Sequence, residues 1–302
     1  MTQKQFDYRK YLDPSIVSKL NTLELRARMV VEGFMVGLHR SPYHGFSVEF
    51  SEHRPYMQGD TLKDIDWKVY GKTEKYYVKQ FEEETNLRSY IILDISKSMD
   101  FNYGSNIKKI DYASILAASL IYIMLKQQDA AGLVLYSDKI ETMMSPKTSR
   151  PYLGELLKNI STIKPANTTR TAACLNNVAE KIKRRGLVII ISDMFDDINS
   201  TLSALKHFRY KKNEVIVFQV LDPIERSFAF GRDAVFKDLE SNEEITTQPY
   251  QIQKSYQSAM AEFIEKIKEE CINNGIEYNL IDTSTPFDKA LFSYFKKRGR
   301  LV

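Results

Sequence analysis

Two cysteines, Cys174 and Cys271, are all that 302 residues carry, and they form no C-x-x-C pair. That is too few for a disulfide framework; it fits a reducing compartment and leaves both thiols as small core hydrophobes. An excess of one charge sign is also missing. The chain has 43 Lys plus Arg against 39 Asp plus Glu, a formal net charge of +4, which is too balanced to mark a nucleic-acid binder. Long apolar runs are absent too. The most apolar helical stretch, 113–125, falls short of the ~20 residues a bilayer span needs, and residues 1–13 lack the apolar centre of a signal peptide. Neither an internal repeat nor a low-complexity linker interrupts the chain. With 43% hydrophobic and 27% charged residues, a soluble protein with a sizeable core is expected, in one large or two ordinary domains.

What is present is organised around Tyr90-Ile91-Ile92-Leu93-Asp94-Ile95-Ser96-Lys97-Ser98-Met99. A short continuous apolar run reads as a strand buried on both faces, the usual state of a central parallel strand. It runs straight into D-x-S-x-S, so a carboxylate and two hydroxyls sit on the loop past the strand's C-terminal end. In open α/β sheets that crevice is where ligands bind. Asp and Ser offer only oxygen, so the matching guest is a hard divalent cation such as Mg2+ or Ca2+. The plainer reading is a loop whose serines cap the next helix.

Around this stretch the pattern alternates. Asp13-Pro14-Ser15 reads as a helix start, and Ile16, Leu20, Leu23, Ala27, Val30 and Phe34 follow at helical spacing, predicting one amphipathic helix that packs on the protein's own body. Residues 37–84 are rich in glycine, aromatics and charge; Phe46–Phe50 and Tyr76–Phe81 read as strands, and Trp67 with Tyr56, Phe46 and Phe50 offers an apolar face to pack on the main domain. From about residue 87, helices are expected over 110–127, 153–160, 171–184, 202–208, 251–273 and 286–298. Strands are expected over 131–136, 139–143, 186–191, 214–221 and 276–281, with a small polar β excursion over 222–247. Strands alternating with helices imply α/β architecture with a doubly wound, mostly parallel sheet. The expected organisation is residues 1–86 as an N-terminal helix and β-containing extension packed on a main domain of residues 87–302.

Two further oxygen-bearing loops fall at equivalent places. Thr168 and Thr169 precede a helix, and Asp193 follows an all-apolar strand. In a doubly wound sheet such loops line one edge, so Asp94, Ser96, Ser98, Thr169 and Asp193 are expected to converge on one metal site for Mg2+, Mn2+ or Ca2+.

These residues resemble the metal-ion-dependent adhesion site of von Willebrand factor A domains. The upstream segments Gly37–Pro42, Gly45–Phe50, Arg54-Pro55-Tyr56, Gly59-Asp60 and Ile65–Lys68 are similar to the signature of the domain-of-unknown-function-58 family. The resemblance implies a bacterial, von Willebrand factor A-like, Rossmann-type domain working with a MoxR-type AAA+ ATPase. It implies that Ser96, Ser98 and Thr169 touch the metal while Asp94 and Asp193 act mostly through water. It also implies a non-catalytic, cytoplasmic interaction module that reaches a membrane only through partners, in protein assembly or maturation. Such a metal would take its last ligand from an Asp or Glu of the ATPase or of a client. The chain departs from the family's glycine-rich loop at Asn167-Thr168-Thr169-Arg170, which places a positive charge near the cation and leaves Thr168 and Thr169 as alternative ligands.

The rival is a metal-dependent hydrolase or nuclease, using the same crevice or the acids between Asp60 and Lys68 (Asp60, Asp64, Asp66). The balanced charge and the lack of a basic track argue against a nuclease. The three crevice loops contain no histidine to act as base, no G-x-S-x-G turn is present, and His39, His44 and His53 lack zinc-ligand spacing.

Overall fold

The computed structural model describes residues 12–40, 54–55, 67–78, 87–103, 107–149, 151–165, 168–230, 234–237 and 244–298. A short helix α1 (Pro14–Val17) leads to α2 (Leu23–Arg40). Strand β1 (Arg54–Pro55) pairs antiparallel with β2 (Tyr77–Val78), and α3 (Trp67–Thr73) lies between them in sequence. The main body then runs β3 (Arg88–Asp94), a 3-10 turn at Lys97–Asp100, α4 (Lys109–Lys126), β4 (Ala130–Tyr136), β5 (Ile140–Lys147), α5 (Pro151–Ser161) and α6 (Thr171–Lys181). It continues through β6 (Leu187–Ser192), α7 (Ile198–Tyr210), β7 (Glu214–Leu221), α8 (Pro223–Ser227), the hairpin β8 (Ala234–Lys237) and β9 (Glu244–Thr247), α9 (Pro249–Asn273), β10 (Glu277–Asp282) and α10 (Phe287–Arg298).

Six strands form one sheet in the order β10-β7-β6-β3-β4-β5. All neighbours are parallel except the edge strand β5, which runs antiparallel to β4. The chain order reverses between β3 and β6, the point at which a doubly wound sheet opens its ligand crevice. The protein is therefore an α/β protein with a mostly parallel, doubly wound sheet.

Alternation along β3 sorts the two faces. Ile91 and Leu93 join a core with α2, α4, α5 and α10 (Val30, Phe34, Leu120, Leu156, Leu291). Tyr90 and Ile92 join a second core with α6, α7 and α9 (Leu175, Leu205, Ile267). The central strands are buried along almost their whole length, as their continuous apolar composition requires. Helix α4 is apolar nearly all round because it is covered nearly all round. Among the described residues no helix is long and apolar enough to cross a membrane.

Three expectations need correction, and others fall outside what is described. The N-terminal helix is broken: residues 18–22 form a turn between α1 and α2. The side chain of Asp13 caps α1 by accepting from the Ser15 N–H at 2.8 Å. The Thr22 hydroxyl accepts from the Leu25 N–H at 3.2 Å, and the Arg26 guanidinium donates to the Leu20 carbonyl at 2.9 Å. A capping residue inside the periodic pattern started a second helix. The excursion over 222–247 contains helix α8 as well as the hairpin, because Asp222 and Glu225 close a reciprocal capping box. Trp67 is 59% exposed and meets Tyr70 edge-on at 6.0 Å, so it does not supply an apolar face buried on the main domain. The expected strand Phe46–Phe50, His44, His53, and Tyr56 through Asp66 lie outside the described residues.

Candidate functional site

Strand register builds the site. Asp94 pairs with Tyr136 of β4, and Ser192 of β6 falls one step beyond the Leu93–Ile191 pair. All three side chains project to the α6–α7 face at the C-terminal end of the sheet. Ser192 Oγ donates to Asp94 Oδ2 at 2.7 Å and the Tyr136 hydroxyl donates to the same oxygen at 3.2 Å. Asp94 Oδ1 accepts the Ser96 N–H at 2.9 Å, which bends the chain sharply out of β3. The row continues into β7, where Gln219 pairs with Ser192 and its amide donates to the Asp193 carbonyl at 2.9 Å. A buried polar row thus crosses four strands of an otherwise apolar sheet.

Asp94 and Ser96 are fully buried, and Ser98 is half-buried with its hydroxyl 3.0 Å from that of Ser96. Burial, and next the charge of Asp193, push the Asp94 carboxyl up to about 6, partly offset by the Ser96 and Ser192 hydrogen bonds. All three of its hydrogen-bond donors are neutral, so its charge has no direct counterion among them. Burial and the neighbouring Asp94 charge hold the Tyr136 phenol well above its usual range.

Asp193, also fully buried, is handled differently. Its Oδ1 accepts the Phe195 N–H at 3.1 Å, and its Oδ2 accepts from Lys109 Nζ at 2.8 Å. Lys109 has no exposed surface, reaches Glu225 Oε1 at 2.7 Å, and lies over the Phe195 and Phe101 rings at 5.0 and 5.7 Å from their centroids. Burial alone would lower the Lys109 ammonium, but Asp193 and Glu225 outweigh it and raise it. Directly after Asp193, Met194 holds a left-handed φ of 62° while buried. Its N–H donates to Ser192 Oγ at 2.9 Å. Such strain concentrates where the surrounding structure must fix a loop for a purpose.

The structure brings Asp94, Ser96 and Ser98 together and sets Asp193 just past the end of the neighbouring strand β6. In the third loop Thr168 is exposed, Thr169 half-buried and Arg170 exposed, and the Arg170 N–H docks on the Ser137 carbonyl at 3.2 Å. The fully buried threonine there is Thr171, beside the Tyr136 phenol. Sequence reasoning missed Tyr136, Thr171, Ser192, Lys109 and Glu225. Ser192 and Tyr136 carry a signal, since each ends an apolar strand with a hydroxyl; Lys109, one lysine among many, carries none.

Among the described residues no three His, Cys, Asp or Glu side chains come together in a way that could hold a metal ion. A cation here would depend on hydroxyls and carboxylates jointly. Asp94, charged and met only by neutral donors, with two serine hydroxyls beside it, fits a hard cation; Asp193, already bound to an ammonium, fits one less well.

Residues 52–265 match the family described as Protein of unknown function DUF58. The chain belongs to that family. A DUF58 relative is the uncharacterised protein Rv1480 of Mycobacterium tuberculosis, 28% identical over 234 residues, which are 76% of this chain and 72% of the relative. The same figures hold for Mb1516 of Mycobacterium bovis. Among solved structures, BatB from Bacteroides thetaiotaomicron aligns with 71% of this DUF58 chain and 98% of its own, at 18% identity and a TM-score of 0.48. The SpRpn10 VWA domain aligns with 68% of this chain and 94% of its own, at 13% identity and a TM-score of 0.39.

Proposed function

We propose that this DUF58 protein is a non-catalytic interaction module whose strand-end crevice holds one divalent cation, Mg2+ or Mn2+. The observation that carries the reading is Asp94: a fully buried carboxylate at the sheet's switch point, met only by neutral donors and flanked by the Ser96–Ser98 hydroxyl pair. A buried charge needs a partner, and a cation is the partner this oxygen set is made for. Ser96 and Ser98 would hold it, with Asp94 balancing its charge and Thr169 closing the third side. When bound, such an ion supplies a Lewis-acidic point that accepts a carboxylate from another protein. The partner therefore contributes an Asp or Glu. A MoxR-type AAA+ ATPase or its client, in assembly or maturation of other proteins in the cytoplasm, is the partner that the family resemblance recommends.

Calorimetric titration with MgCl2 and MnCl2 tests the cation. Wild type is expected to bind one equivalent, and Ser96→Ala to lose at least tenfold in affinity with its circular dichroism unchanged. Equal binding by both proteins defeats the site. Co-purification with the ATPase in Mg2+ and in EDTA tests the bridge: retention unaffected by both EDTA and Ser96→Ala rules out a metal-mediated contact. The rival hydrolase reading forecasts metal-dependent turnover of phosphate esters by the same preparation, and none is expected.

A further inference from the structure

We infer that Lys109 is the crevice's own built-in cation, which withholds Asp193 from metal ligation and so sets the strength of the divalent site. This rests on the cation reading above and names what regulates it. The Lys109 ammonium has a complete cation box of its own. It lies 2.8 Å from Asp193 Oδ2 and 2.7 Å from Glu225 Oε1, and is roofed by Phe101 and Phe195. The box is made by the chain from four places: Lys109 opens α4, Phe101 follows β3, Asp193 and Phe195 follow β6, and Glu225 belongs to α8. Glu225 is itself tied down, because its other oxygen accepts the Asp222 N–H at 2.7 Å.

The consequence for Asp193 is a matter of charge. Its Oδ1 accepts a backbone amide and its Oδ2 the ammonium, and a carboxylate already paired with a buried cation attracts a second one less strongly. Asp94 lacks such a partner. The two carboxylates that look equivalent in sequence therefore have different roles: Asp94 is open to a divalent ion, and Asp193 is held by Lys109. The crevice of the wild-type chain is in this way limited to one free negative charge and the hydroxyls beside it. A weak, exchangeable divalent site follows, and an acidic partner is needed to complete it.

Replacing the ammonium reverses this. In Lys109→Met, a similar length of apolar chain leaves Asp193 and Glu225 buried without a counterion. We expect MnCl2 to bind at least tenfold more tightly than to wild type by calorimetry, and to restore a melting temperature that is lowered in EDTA. Lys109→Met/Asp193→Asn removes the charge pair together and is expected to lose that gain. Glu225→Gln keeps the ammonium, makes the box more positive, and is expected to bind Mn2+ no more tightly than wild type. Tighter binding by Glu225→Gln, or unaltered or weaker binding by a folded Lys109→Met, overturns the inference. If wild type binds no Mn2+ while Lys109→Met binds it, the role of Lys109 stands and the divalent reading of the natural protein falls. If neither binds, both fall.

Discussion

Asp94 concentrates the physics of the site in one side chain. Its carboxyl is pushed up to about 6 against an ordinary value of 3.8, so the native state holds this proton more tightly than the unfolded chain does. Between those two values the folded protein binds more protons than the unfolded one, and linkage then makes this group's contribution fall as pH rises. Above about 6 the buried charge costs stability in full; below about 4 it costs nothing. In EDTA, wild type should therefore lose melting temperature relative to Asp94→Asn as pH rises from 4 to 7, by an amount corresponding to roughly 2–3 kcal/mol. Saturating Mg2+ should remove the difference in slope, because a bound cation compensates the charge. Parallel pH profiles for the two proteins in EDTA would show that the Asp94 charge is not strained by burial. At this scale the sequence was half legible. An acid and two serines directly after an apolar strand announce themselves through composition. Lys109 does not, because its 84- and 116-residue separations from Asp193 and Glu225 exist only once the sheet has assembled. Thr171 is the buried threonine of the third loop, a distinction that spacing alone could not draw between it and Thr168 or Thr169.

Periodicity specified most elements, because burial on one or both faces leaves a mark in every residue of a strand or helix. The strand expected over 214–221 is observed as Glu214–Leu221, and the helix expected over 251–273 as Pro249–Asn273. Where a single side chain decides, the pattern misleads: Thr22 restarts a helix that apolar spacing would continue, and the capping box at Asp222 and Glu225 makes a helix in a stretch that reads as β. The antiparallel edge strand has its own local determinant. The pairing of β4 with β5 shifts register between Ala131 and Leu133, and Gly132 sits at that irregularity. A Cβ added there would lie 2.6 Å from the Met144 carbonyl oxygen and 2.9 Å from the Pro146 nitrogen. Both are backbone atoms that cannot swing aside as a side-chain end could. Gly132→Ala is expected to cost about 1–3 kcal/mol, the range for overpacking, read as a lower denaturation midpoint with an unchanged slope. Because β4 also carries Tyr136 to the Asp94 oxygen, the variant should weaken divalent binding as well. An unaltered midpoint would mean that β5 yields freely at the edge.

For the whole molecule, the N-terminal helix and the crevice belong to one mechanical unit. Ala27, Val30, Val31 and Phe34 of α2 are buried, and Phe34 stacks on Phe295 of α10 at 5.2 Å. Val30, Val31 and Phe34 share a core with Ile115, Leu116 and Leu120 of α4. Helix α4 begins with Lys109, so the element that α2 braces is the one that presents the ammonium to Asp193 and Glu225. Removing residues 1–86 would uncover α4 and α10 along that face. Loss of burial of Val17, Val30, Val31 and Phe34 alone should cost on the order of 5 kcal/mol, after discounting for the order those residues lose with it. A chain of residues 87–302 is therefore expected to melt well below the full protein or to aggregate through the exposed face. Any folded fraction should bind Mn2+ differently, since Lys109 would no longer be held in register with its two carboxylates. Calorimetry and thermal melts on both lengths decide it. A shortened chain with the full protein's melting temperature and Mn2+ affinity would show that α2 is an appendage, and that the crevice is positioned by the sheet alone.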